Sequence, residues 1–241
     1  MCIRDRRNLH ERLLYLRNLE DKKKQVLSSI EEQGKLTEEL KKSILEAQTL
    51  VVVEDLYRPY RPKRRTRATI AREKGLEPLA NLILLQKMTV SPLEEAENYI
   101  NPEKEVSTAE DALNGAKDIL AESVSDNADF RTHIRELTMK HGQLLSAAKD
   151  PEAESVYEMY YEFSESLSKL AGHRILAVNR GEKEKFLTVK VNAPEEEILR
   201  YLEHQVITKE NPVTSPVLKE VVDDCYKRLI APAIEREIRS N

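Results

Sequence analysis

The sequence predicts a mainly α protein, an elongated multi-helix array with a small β element near residues 175–191, and three observations lead there. Only 6 of the 241 residues are glycine, far below the usual share of ~7%, so the positive-φ turns that a many-stranded sandwich or barrel needs are scarce. Helix-start signals, a capping residue followed by proline or a carboxylate, recur along the chain. A single stretch, Phe186-Leu187-Thr188-Val189-Lys190-Val191, alternates as a strand does.

Taken in order, Leu9, Leu13, Leu16, Leu19, Val26 and Ile30 recur at helical spacing with charges between them. Gly34 supplies a left-handed stop, and Thr37 caps a second helix holding Leu40, Ile44 and Leu45. Leu50-Val51-Val52-Val53 fits strand or helix. Pro59 and Pro62 impose a non-helical connection. Ser91-Pro92-Leu93-Glu94 and Ser107-Thr108-Ala109-Glu110 read as capping boxes, the second opening a helix with Ala112, Ala116, Ile119 and Leu120 on its apolar face. Asp126 or Asn127 caps the next helix, whose stripe is Phe130, Ile134, Leu137, Leu144 and Leu145. Asp150-Pro151 and Ser215-Pro216 repeat the cap-then-proline device. Tyr157, Tyr160 and Tyr161 form a packed face at helical spacing. Ile175–Val178 either pairs with the alternating stretch as a hairpin or forms a short helix ended by Gly181. The last helix carries Val217, Val221, Cys225 and Leu229, with a kink or break at Pro232. Two regions are expected, 1–105 and 106–241. Both ends read as cut through helical pattern, so the chain reads as a fragment.

Composition excludes several function classes. The six glycines are never closer than nine residues, so GxGxxG, GxxxxGK[ST] and GxSxG are all ruled out. Cys2 and Cys225 show no pairing signal, and no apolar run approaches the ~20 residues of a membrane span. A reducing cytoplasm follows as the expected compartment. Serines sit at helix starts, where capping explains them, and Cys225 falls on an apolar helix face, so nucleophilic catalysis has no support. Asp126, Asp129, His133 and Glu136 share a helix face. A solvated face explains them better than a metal, because one helix does not close a coordination sphere. His141 reads as a packed core residue.

One segment stands apart. Residues 58–67, Arg-Pro-Tyr-Arg-Pro-Lys-Arg-Arg-Thr-Arg, hold six basic residues and no acidic one, and 58–74 carries +7 in a chain of net −4. Arg58, Arg61, Lys63, Arg64, Arg65 and Arg67 are the candidate nucleic-acid contacts. A proline-stiffened arm presents guanidinium forks to phosphates, and Tyr57 and Tyr60 can stack on bases. A second reading stands beside it, in which the arm lies against the acidic helices of its own chain.

Residues 54–80, Glu-Asp-Leu-Tyr-Arg-Pro-Tyr-Arg-Pro-Lys-Arg-Arg-Thr-Arg-Ala-Thr-Ile-Ala-Arg-Glu-Lys-Gly-Leu-Glu-Pro-Leu-Ala, closely resemble the signature of the Tex family of bacterial transcription accessory proteins. Residues 110–122, 172–182 and 226–238 agree with the family in the same order, although Gly172 stands where members often have Ser. The resemblance implies a cytoplasmic, elongated, mostly helical protein related to a eukaryotic transcription elongation factor that is also a histone chaperone. It implies that this chain precedes a YqgF-like domain, helix-hairpin-helix modules and an S1 domain, the last being the family's main nucleic-acid-binding element. The expected role is a non-enzymatic helical scaffold in an RNA- or DNA-binding transcription factor. Neither a cofactor nor a metal is expected, and neither a membrane nor a small-molecule substrate. The alternative is a helical module that docks on the transcription machinery without touching nucleic acid.

Overall fold

A computed structural model describes residues 3–62 and 65–240. The chain forms two compact units, 1–64 with 126–128, and 65–125 with 129–241. The expected division at 105/106 falls inside the second unit, where the helices before it pack on the helix that follows.

The first unit holds α1 (Ile3–Glu32), α2 (Glu38–Glu46) and α3 (Leu50–Tyr57). Leu19, Val26, Ile30, Ile44 and Val53 make its core. Leu50–Val53 is helical because Thr49 accepts a hydrogen bond from the Val52 N–H and so caps the turn. Thr37 caps α2 through the Leu40 N–H, as expected. Gly34 adopts φ +66°, the left-handed stop after α1. Lys23 is buried and donates to the Leu45 carbonyl at 2.7 Å, tying α1 to the end of α2. The expected apolar stripe of α1 is covered only in part. Leu9, Leu13 and Leu16 are exposed, and the hydrogen bonding of α1 to α3 begins at Tyr15, whose hydroxyl accepts from the Leu50 N–H.

The second unit runs through α4 (Arg67–Glu73), α5 (Glu77–Leu85), α6 (Pro92–Ala96), α7 (Ala109–Ser125) and α8 (Ala128–His141). It continues through β1 (Gln143–Ala148), β2 (Glu162–Ser166), α9 (Gly172–Lys183), β3 (Leu187–Asn192), α10 (Glu195–Val206), α11 (Ser215–Asp224), a π-helical turn (Cys225–Ile230) and α12 (Ala231–Ser240). Helices α4 to α7, α10 and α11 enclose the larger core, with Leu79, Ile83, Ala112, Ala116, Leu202 and Leu218 inside it. Ser91 caps α6 through the Leu93 N–H. The second box is shifted by one residue: Thr108 and Asp111 exchange side-chain-to-backbone bonds at 3.1 and 3.2 Å.

The β element is larger than expected. Three antiparallel strands lie in the order β2-β1-β3, and only β3 matches the alternating stretch. Leu144 and Leu145 belong to β1, because α8 stops at His141 and Gly142 leaves no room for a side chain: a Cβ there would meet the Thr138 carbonyl at 2.4 Å. Ile175–Val178 is helical, and Gly181 lies inside α9 instead of ending it. A Cβ at Gly181 would meet Leu187 at 2.6 Å, so glycine is what lets α9 lie on β3. Tyr157 and Tyr160 are buried as expected, but in the turns between β1 and β2, with no long helix there. Asp150-Pro151 opens a turn, the Asp150 carboxylate accepting from the Glu152 N–H. Pro232 causes no break. The π-helical turn absorbs it, with the Ala231 N–H reaching back five residues to the Tyr226 carbonyl.

Candidate nucleic-acid interface

The basic segment starts where α3 ends. Arg58 is the C-terminal cap of α3 and is half-buried. The Tyr57 hydroxyl bonds Ser29 at 2.9 Å, the Tyr60 carbonyl accepts from Gln33 at 2.9 Å, and both rings pack on the core of the first unit. That packing covers part of each ring, and both side chains stay partly exposed. Arg61 is exposed, 3.9 Å from Glu54, whose other oxygen holds Lys22 at 2.6 Å. Lys63 and Arg64 lie outside the described residues.

On the second unit the segment resumes at Arg65, which is exposed and pairs with Glu73 at 3.1 Å. Thr66 caps α4 in a reciprocal box with Thr69. Arg67, the first residue of α4, is exposed and makes no ion pair among the described residues. Further along, the side chains turn inward. Arg72 donates to Glu122 of α7 at 2.8 Å, and the Thr66 hydroxyl donates to the other oxygen of the same carboxylate at 3.0 Å. Lys74 donates to the Glu105 carbonyl at 3.0 Å. The segment therefore combines exposed arginines with residues that fasten α4 to its own unit. Glu122, the acceptor that does the fastening, was not singled out from sequence. Its place three turns after the capping box of α7, on the apolar side, is the signal that marks it.

The other sequence candidates resolve differently. His133 stacks on Tyr201, with ring centroids 4.0 Å apart. Among the described residues no group of three His, Cys, Asp or Glu side chains could hold a metal ion. His141 is exposed and bonds Glu197 at 2.9 Å, so it is not a core residue: α8 ends there and its ring turns to α10. Cys225 is buried, as its helix face predicts. Among the described residues no helix is long and apolar enough to cross a membrane.

Residues 87–241 match the family model described as Tex central region-like. The chain belongs to the Tex family. It is 48% identical over 234 residues, 96% of its length, to the uncharacterized protein YdcI of Bacillus subtilis. It is 39% identical over 76% of its length to the transcriptional accessory protein Tex of Neisseria gonorrhoeae. It is also 31% identical over 97% of its length to the human S1 RNA-binding domain-containing protein 1. The aligned parts are 32%, 24% and 25% of those relatives, so the chain spans between a quarter and a third of a Tex-like protein.

Proposed function

We propose that this chain is a non-enzymatic helical scaffold of a Tex-like transcription accessory factor, working in the cytoplasm, and that its basic arm contacts nucleic-acid phosphates. The observation that carries this reading is the contrast along the arm. Arg61, Arg65 and Arg67 are exposed, held by loose surface pairs or by none, whereas Arg72 is committed to Glu122. Exposed ion pairs contribute only about 0–1 kcal/mol, so a phosphate displaces Glu54 or Glu73 at little cost. Arg58, Lys63 and Arg64 extend the same run of charge. The mechanism is positioning and electrostatics, with RNA or DNA held also by parts of the longer protein. The names of two relatives, one for transcription and one for RNA binding, agree with it.

A second reading has its own observation. Leu85 and Val90 are exposed and line a hollow of about 240 Å³ together with Leu82 and Met88, which favours docking on the transcription machinery. A gel-shift of the chain against single- and double-stranded RNA and DNA at two salt concentrations separates the two. Salt-sensitive micromolar binding supports the arm. Absence of binding, with capture of purified polymerase subunits, supports docking and overturns the arm.

A further inference from the structure

The second unit contains a cavity of about 270 Å³ between α8, β3, the start of α10, the π-helical turn and the start of α12. The π-helical turn shapes it: the wider turn brings Tyr226 and Lys227 to the wall beside Pro232. Such turns inside α-helices are frequent at functional sites. Tyr226 is 4% exposed and lines the cavity, yet its hydroxyl makes no hydrogen bond among the described residues. The ring is buried while the hydroxyl stays open to the cavity, so it is free to donate to whatever fills the space.

The lining states what that partner is. Lys190 and Lys227 are matched by Glu195 and Glu235, so the wall has no net charge and selects neither an anion nor a cation. Lys227 is already held by Asp223 at 2.7 Å and Glu195 at 3.6 Å. Glu235 accepts from the Val191 N–H at 3.2 Å and keeps a second oxygen. Ile134, Val191 and Pro232 supply apolar surface. A complementary ligand is uncharged, has an apolar face, and carries both an acceptor for Tyr226 and a donor for a carboxylate. The volume is just below the range of small-molecule sites, roughly 300–1,000 Å³, which limits the ligand to a single ring system.

We propose that this cavity receives one heterocyclic nucleobase, with the Tyr226 hydroxyl donating to a ring or carbonyl acceptor. The choice of a nucleobase among uncharged heterocycles rests on the nucleic-acid reading of the arm. The base comes either from a free nucleoside or from one unstacked residue of a bound strand, and the two sources are separable.

The test is saturation-transfer NMR of the whole chain with the four ribonucleosides, which carry no phosphate and so do not engage the arm. Transfer to at least one nucleoside is expected. Tyr226→Phe removes only the hydroxyl and should weaken it by about fivefold to tenfold, one hydrogen bond's worth. Lys190→Ala, which leaves the hydroxyl in place, should change it much less. No transfer, or transfer unchanged in folded Tyr226→Phe, overturns the proposal. An abasic oligonucleotide keeps the arm reading apart, since it offers phosphates and no base. If it binds while nucleosides do not, the cavity proposal fails and the arm stands. If nucleosides bind and no oligonucleotide does, the cavity takes a free nucleoside and the arm reading fails. If a base-bearing strand outbinds the abasic one and Tyr226→Phe abolishes the difference, the base belongs to the strand.

Discussion

Arg72 and Glu122 form a 2.8 Å ion pair between α4 and α7, with only 10% of the Glu122 side chain exposed. Arg67, five positions earlier in the same basic run, is exposed and makes no such pair among the described residues. Arg72→Ala should lower stability by about 2 kcal/mol, the worth of a charged hydrogen bond whose partner stays inside. Arg67→Ala should change stability by less than about 0.5 kcal/mol, yet flatten the log–log salt slope of nucleic-acid binding by ~0.7–0.9. Urea denaturation and binding titrations at several salt concentrations read the two effects separately. A salt slope untouched by Arg67→Ala would count against a phosphate contact.

Glu237 of α12 accepts from Arg131 at 2.8 Å and from two nitrogens of Arg135 at 2.8 and 3.0 Å. The Arg131 side chain is wholly buried, so removing the carboxylate takes a charged hydrogen bond from a guanidinium that water does not reach. Glu237→Ala should cost about 2–3 kcal/mol, seen as a lower midpoint of chemical denaturation. Glu94→Ala, at an exposed position, should be nearly neutral and serves as the control.

Gly181→Ala tests the close approach of α9 to β3. Alanine favours a helix by ~1 kcal/mol over glycine, but its methyl group would press on Leu187, which has no exposed surface, and on Tyr157 at 3.1 Å. Overpacking of this kind costs about 1–3 kcal/mol, so the net change should be destabilising. A raised melting temperature would show that Leu187 gives way easily.

Burial, with the Glu195 charge adding to it, pushes the Tyr226 hydroxyl up to about 12 from an ordinary 10.0. The unfolded chain therefore gives up this proton before the folded one does. Stability from this group is fully present below pH 10 and is lost as pH rises toward 12. Tyr226→Phe should lessen the alkaline loss of stability, measured as the denaturation midpoint against pH. An identical alkaline slope in the variant would assign the loss to other groups.

Much of the helical fold was legible because it rests on local chemistry. The Thr37 and Ser91 hydroxyls accept from the Leu40 and Leu93 N–H groups, as their positions foretell, and Ile119, Leu120, Val221 and Cys225 are buried as their spacing requires. The failures mark places where tertiary contacts decide. Leu144 and Leu145 continue the α8 stripe in sequence, and only the crowding around Gly142 turns them into a strand. Gly181 looks like a stop and is a point of close packing. His141 follows the apolar period but lies at a helix end, where the chain turns out to Glu197. At the candidate interface the run of charge was visible, but its division was not. Whether an arginine faces outward or meets a carboxylate depends on Glu122, 50 residues away from Arg72 in the chain.

The π-helical turn at Cys225–Ile230 keeps residues 215–240 helical through Pro232, and that continuity gives the second unit a mechanical property. Val221, Cys225 and Ile230 are rooted in the larger core, while Ile238, further along the same rod, also touches the cluster under the β-sheet. A rod seated in both clusters passes a loss of packing at one end to the other. The helical layer and the sheet should then give way in one cooperative step, so the proline that looked like a joint lies within the beam that couples them.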